Sequence, residues 1–130
     1  MCAIAGIVNF NGLEDKLPLL KKMIGLMRHR GPDEAGVYFD GPVGLSHARL
    51  SIIDLNSGIQ PIWNEERTAW IVFNGEIYNH LELRTELEET GHRFYTRTDT
   101  EVLIHLYEEL GVGMFERLNG QFAMAIWDAR

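Results

Sequence analysis

The sequence predicts an α+β fold with stacked sheets and outer helices. Strand-like stretches come first, helices follow, and a strand closes the chain, without the regular βαβ alternation of a parallel sheet. Thr68 to Phe73 (Thr-Ala-Trp-Ile-Val-Phe) is strongly apolar, as a strand covered on both faces would be. The helical stretches carry their apolar residues on one side only, as outer helices do. At 130 residues the chain holds at most one domain, long enough for a real core.

Residues 2–10 read as a buried strand with Gly6 inside it, and Asn11-Gly12 is a turn signal. From Lys16 to Met27 the spacing predicts a helix, with Leu20, Met23, Ile24 and Met27 on one face. His29 to Gly36 ends it as a charged loop, broken at Gly31-Pro32. Val37 to Phe39 and Val43 to Ile53 are expected strands joined at Asp40-Gly41-Pro42, and Asp54 to Gly58 an expected loop. Arg49 shares a strand face with Leu45 and His47. A cation there needs an anionic partner, either a protein carboxylate or a bound ligand.

The strand over Thr68 to Phe73 is expected to end in Asn74-Gly75-Glu76, where an amide side chain and an unhindered backbone N–H meet. Two such donors are what an oxyanion hole requires, although Asn-Gly is also a common hairpin signal. His80 to Thr90 is an amphipathic helix capped by Gly91. Phe94-Tyr95 is expected to be extended. A further helix opens at Thr98-Asp99-Thr100-Glu101, buries Val102, Leu103, Leu106 and Tyr107, and stops at Gly111. Thr98 and Asp99 are both N-cap candidates, and Thr98 with Glu101 has capping-box spacing. Met114 to Leu118 is a short helical turn, and Gln121 to Trp127 is the last strand.

The totals exclude several classes. A net charge of −7 argues against nucleic acid as the main partner. The N-terminal apolar run is too short for a membrane span and has no basic residue before it, unlike a signal peptide. A single cysteine, Cys2, allows no internal disulfide and fits a reducing compartment such as the cytoplasm. The five histidines are scattered and none pairs with Cys2 at a ligand spacing, so no metal site is expected. If Met1 is removed, Cys2 carries a thiol and a free α-amine. That amine titrates near ~7.7–8.0 and suits a general base for the adjacent nucleophile.

Five stretches occur in the order seen in class II glutamine amidotransferases: Cys2, His29-Arg30-Gly31-Pro32-Asp33, Arg49-Leu50-Ser51-Ile52-Ile53-Asp54, Asn74-Gly75-Glu76-Ile77-Tyr78-Asn79 and Thr98-Asp99-Thr100-Glu101. The chain most closely resembles the glutaminase domain of asparagine synthetase-type proteins, over essentially its whole length. The resemblance implies a four-layer αββα N-terminal nucleophile hydrolase sandwich, here C-terminally truncated: a partial glutamine amidotransferase type 2 domain over residues 1–130. It implies hydrolysis of L-glutamine to glutamate and ammonia, which passes to a C-terminal synthetase domain. ATP and Mg2+ are expected only in that domain, and this segment has no nucleotide-binding loop.

Carried over position by position, the resemblance makes Cys2 the nucleophile and its own α-amine the base. Asn74 (side chain) and Gly75 (N–H) hold the oxyanion. Arg49 pairs with the substrate carboxylate, and Asp99 and Glu76 receive its ammonium. The backbone of Leu50, Ser51, Ile52 and Ile53 lines the same pocket, and residues 30–33 support the nucleophile's strand. Ala3 stands where glycine is commonest in the family; a methyl group there bears on pocket width and on the amine's position, and a residue this small is expected to be tolerated. Two other readings remain at this point: a cysteine hydrolase in which His29 or His47 activates Cys2, and a non-catalytic binding module. The apolar last strand is expected to leave an open edge, with self-association and low activity for the isolated segment.

Overall fold

The computed structural model describes residues 2–10, 17–50 and 58–130. Its elements are β1 (Ala3–Val8), α1 (Leu17–Leu26), β2 (Glu34–Asp40), β3 (Val43–Arg49), β4 (Ile62–Trp63), β5 (Ala69–Ile77), α2 (His80–Thr90), α3 (Asp99–Leu110), a 3-10 helix (Gly111–Arg117) and β6 (Gly120–Asp128). The strands form two antiparallel sheets, ordered β1-β3-β2 and β4-β5-β6.

Three apolar clusters stack these elements in layers. α1 covers the outer face of the first sheet, where Ile24 packs with Ala3 and Ala48. α2 and α3 cover the outer face of the second, bringing Leu83, Leu87 and Leu103 onto Ile71, Phe73 and Ile77. Between the sheets, Val43 and Leu45 meet Val72, with Trp70 and Trp127 beside them. Tyr38 stacks on Trp70 at 3.8 Å. The Trp127 indole donates to Asp40 across the same gap at 2.7 Å, so its N–H is satisfied where it is buried. Each fully buried Ile or Leu in these layers, such as Ile71 or Leu103, contributes roughly 1.5–3 kcal/mol of transfer free energy. The result is the expected αββα order.

Helix ends follow the predicted chemistry. Gly91 adopts a left-handed conformation (φ 109°) and its N–H returns to Glu88. Thr98, and not Asp99, caps α3, its side chain accepting from the Glu101 N–H. Glu101 does not close the capping box. Its carboxylate instead accepts from the N–H groups of Tyr95 and Thr96.

Several boundaries differ from expectation. β1 is an edge strand, not a buried one, and leaves Val8 61% exposed. β2 begins at Glu34, inside the expected loop, because Glu34 pairs with Arg49 across the ladder. β5 does not end at Asn74-Gly75. It runs on to Ile77, with Asn74, Gly75 and Glu76 paired to Ala123, Phe122 and Gln121. Phe94-Tyr95 is not a strand; the Tyr95 ring stacks on Trp63, and its hydroxyl accepts from the Trp63 N–H. The short strand β4 had no signal of its own. The turn expected at Asn11-Gly12 and most of the loop expected at 54–58 lie outside the described residues, as do Ser51, Ile52 and Ile53.

Candidate active site

Side chains alternate along a strand, so Val43, Leu45, His47 and Arg49 share one face of β3. Trp70, Val72, Asn74 and Glu76 likewise share one face of β5. The apolar members of both sets meet in the interlayer core. Further along both strands the same faces turn polar, and a cleft of about 310 Å3 opens between them. Cys2, Arg49, Leu50, Asn74, Gly75, Glu76 and Asp99 all line it. Every described residue expected in the site is therefore on one cleft.

Cys2 reaches the cleft because β1 pairs with β3 in the register Ala3 to Ala48. Its sulfur accepts from the Leu50 N–H at 3.4 Å and lies 3.7 Å from the Leu50 carbonyl oxygen. The loop at residues 30–33 ties both strands. Arg30 Nε donates to the Cys2 carbonyl at 3.3 Å, and the Asp33 N–H donates to the Arg49 carbonyl at 3.0 Å. The Ala3 methyl group does not narrow the cleft. It packs with Ile24 and Ala48 under α1, and Ala3 is not on the cleft wall.

Arg49 finds the protein carboxylate that its burial demands. Its Nη1 sits 2.6 Å from Glu34 Oε2, directly across the β2–β3 ladder. Glycine at position 58 lets the chain cross close over the guanidinium, since a Cβ there would lie 2.7 Å from Arg49 Nη2. Glu34 and Gly58 are site residues that sequence reasoning missed. Cross-strand register was the only signal for Glu34, and register is not visible before the pairing is known.

Two carboxylates line the same cleft from the second sheet and α3, Glu76 on β5 and Asp99 at the start of α3. Asp99 Oδ2 accepts from the Ile77 N–H at 3.0 Å. Burial holds its carboxyl above the usual range, against the lowering effect of that hydrogen bond and of His80. Glu76 is also raised, by burial first and by the Asp99 charge second. Gly75 lies between Asn74 and Glu76 on β5, and only glycine fits there. A Cβ would run into the Gln121 carbonyl oxygen and Phe122 Cα of β6.

His47 lines the cleft, and His29 does not. His29 is exposed, with Nδ1 3.2 Å from the Leu26 oxygen. His47 is 1% exposed. Burial pushes its pKa down to about 4, with the Arg49 charge adding to the effect and a hydrogen bond to the Phe73 backbone opposing it. It is a neutral imidazole at pH 7 and a weak base. Gln60, also on the cleft, donates to Thr100 and accepts from the Phe73 N–H, which joins the second sheet to α3.

The α+β sandwich thus holds a cysteine, a buried arginine and two carboxylates on one cleft between its sheets. The chain belongs to the glutamine amidotransferase domain family, whose pattern it matches over residues 1–130. It is 45% identical over 131 residues to asparagine synthetase [glutamine-hydrolyzing] 1 of Bacillus subtilis, covering 98% of this chain and 21% of that protein. It is 43% identical to asparagine synthetase B [glutamine-hydrolyzing] of Escherichia coli, covering 99% of this chain and 23% of that protein. The chain thus spans under a quarter of the length of these relatives. In fold it matches the glutamine phosphoribosylpyrophosphate amidotransferase of B. subtilis with a TM-score of 0.79 at 21% identity, over 99% of this chain and 35% of that one. The fold is that of the N-terminal nucleophile hydrolases. No helix among the described residues is long and apolar enough to cross a membrane.

Proposed function

We propose that residues 1–130 are a glutamine amidotransferase type 2 domain that hydrolyses L-glutamine to glutamate and ammonia. One observation carries this reading: a single cleft holds a thiol, a cation and two carboxylates, with the cation and the carboxylates on different elements. Glutamine carries a carboxylate and an ammonium on its α-carbon and a neutral amide at its far end. Arg49 takes the α-carboxylate, whose two oxygens match the planar fork of a guanidinium. Asp99 and Glu76 take the α-ammonium, which relieves the repulsion between them. The amide end then falls to Cys2.

In this mechanism Met1 is removed and the Cys2 α-amine takes the thiol proton. The sulfur attacks the amide carbon, and the former amide oxygen gathers negative charge. The Asn74 side chain and the Gly75 N–H donate to it. The C–N bond breaks as the ammonium of Cys2 returns its proton to the leaving nitrogen, releasing ammonia. Water then cleaves the thioester to glutamate, with the same amine as base. The backbone of Leu50 to Ile53 lines the pocket alongside.

The relatives' names extend the proposal to an asparagine synthetase-type protein, and the single cysteine fits a place in the cytoplasm. The ammonia passes there to a C-terminal synthetase domain that uses ATP and Mg2+. Nucleic acid and membranes are not partners in this reading. Self-association through β6 belongs to it, since β6 is the outer strand of the described sheet and such edges pair readily.

The test is direct. In a complete domain Cys2→Ala should abolish glutamate release, and an electrophilic glutamine analogue should label Cys2 alone in protein whose intact mass shows Met1 gone. Turnover by Cys2→Ala would overturn the reading. Blocking the α-amine separates it from Cys–His catalysis, which would survive the block.

A further inference from the structure

A second polar cluster lies outside the cleft, where the turn after β4, the segment after α2 and the helix α3 meet. Glu65 comes from the first, His92 from the second, and His105 and Glu108 from one face of the third, at the i, i+3 spacing. One donor atom from each lies within 4.8 Å of all the others. His105 Nδ1 is 3.2 Å from both Glu65 Oε2 and Glu108 Oε2. His92 Nδ1 is 3.2 Å from Glu65 Oε1 and 3.8 Å from Glu108 Oε2. Four donors in tetrahedral array about Zn2+, with bonds of ~2.0–2.1 Å, stand about 3.3 Å apart. His105 and Glu108 stand at about that spacing, as does each histidine from one of the two Glu65 oxygens, Oε2 for His105 and Oε1 for His92.

The groups behind the donors point the same way. The other nitrogen of each imidazole faces a further carboxylate: His92 Nε2 lies 2.9 Å from Glu109, and His105 Nε2 lies 3.6 Å from Glu101. Metal-bound histidines are held by such carboxylates. Glu108 accepts from the Asn64 amide at 2.6 Å, and Glu65 from the Arg93 N–H at 2.9 Å. His105 is fully buried, and its Nε2 has no hydrogen bond of good geometry. Two imidazoles thus stand among four carboxylates, a set of nitrogen and oxygen donors that a divalent cation can bridge.

We infer that Glu65, His92, His105 and Glu108 form a binding site for a divalent transition-metal ion, Zn2+ best fitting the four nitrogen and oxygen donors. The ion would clamp three separate segments. One of them is α3, whose first residue is the cleft carboxylate Asp99. This histidine pair was illegible in the sequence, because its partners come from three distant stretches and no short ligand spacing joins them.

The experiment strips the chain with EDTA and titrates it with Zn2+ by calorimetry, with metal content measured after gel filtration. One tightly held Zn2+ per chain and a higher melting temperature are expected. Co2+ in its place should give the intense visible bands of a tetrahedral site. His92→Ala and Glu65→Gln should each weaken Zn2+ binding more than about tenfold. Glu109→Gln, whose side chain is 46% exposed, should weaken it by roughly 10–100-fold. It keeps the test decisive if His92→Ala fails to fold. Cys2→Ala should bind as the parent does. No retained Zn2+, binding that Glu65→Gln and Glu109→Gln leave unchanged, or binding that is lost in Cys2→Ala would each overturn the site.

Discussion

The two charged walls of the cleft are built on opposite plans. On the β3 wall the cation is neutralised by the fold itself: Arg49 is 5% exposed and paired with Glu34 across a strand ladder. On the facing wall the Asp99 charge adds to the raised pKa of Glu76, and burial drives both carboxyls toward the protonated form. A permanently charged guanidinium cannot shed its charge when buried, so it requires a resident partner. A carboxylate can shift its pKa instead and wait for a ligand. The cation wall is therefore set by folding, and the anion wall is set by what binds.

If the charged groups bind and the uncharged Asn74 beside Glu76 on β5 acts on the reacting amide, the largest kinetic effect should fall on Asn74. Asn74→Ala removes a donor aimed at charge that develops only in the transition state. It should lower kcat by about 10²–10³ with little change in KM. Steady-state glutaminase kinetics check this. A rise in KM with kcat preserved would move Asn74 to the binding walls.

The β3 wall also excludes a second charge, and pH exposes that. His47 has its pKa lowered to about 4 by burial and by Arg49. Unfolded, it titrates near ~6.5. Above the unfolded value neither state is protonated and the native state keeps its full advantage. As pH falls from about 6.5 toward 4, the unfolded state takes up a proton that the native state refuses. Stability should drop by about 3 kcal/mol across that window from this group alone. Denaturant melts at stepped pH would measure it, and His47→Gln should flatten the profile.

Arg49→Ala should raise KM for glutamine about tenfold or more, the scale of a lost hydrogen-bonded charge contact of ~1.5–3 kcal/mol. It should also lower stability, since Glu34 loses its partner while still two-thirds covered. Glu34→Gln separates the two effects. It keeps a hydrogen-bond acceptor for Arg49, so KM should rise less. If the two variants matched in KM, Arg49 would be structural and would not touch substrate.

How much of this was legible in the sequence depends on the distance over which each decision is made. The caps of α2 and α3 were readable because Gly91 and Thr98 act on backbone groups a few residues away. The layer order was readable from apolar periodicity. Glu34, Gln60 and the His92–His105 pair were not, because each matters through a partner that only the folded register supplies. Asn74-Gly75 shows the boundary most sharply. Local turn chemistry ends a strand there, whereas β6 lies so close that Gly75 is needed to let the ladder continue. The convergence of Cys2, Arg49, Asn74 and Asp99 came from family resemblance, and the structure brings these residues onto one cleft.

The smallest effect should come from the anion wall, and its sign is the sharpest test of the contrast. The folded pKa of Asp99 lies above its ordinary value. Above that raised pKa the native state holds this carboxylate ionised at a cost that the unfolded state does not bear. Stability lost to this group returns as pH falls through the raised pKa, opposite in direction to the His47 effect. Asp99→Asn removes the charge and retains an oxygen that can accept from the Ile77 N–H. It also takes away the charge that helps raise Glu76. Asp99→Asn should thus be as stable as the parent at pH 7 or more so, by no more than the few degrees that about 1 kcal/mol gives a domain of this size. Its KM for glutamine should rise, and the acid limb set by Glu76 should move to lower pH. Arg49→Ala, by contrast, should lose both stability and affinity. Thermal melts and pH-resolved KM values on the two variants decide it: if Asp99→Asn were also destabilised at pH 7, the two walls would follow one plan.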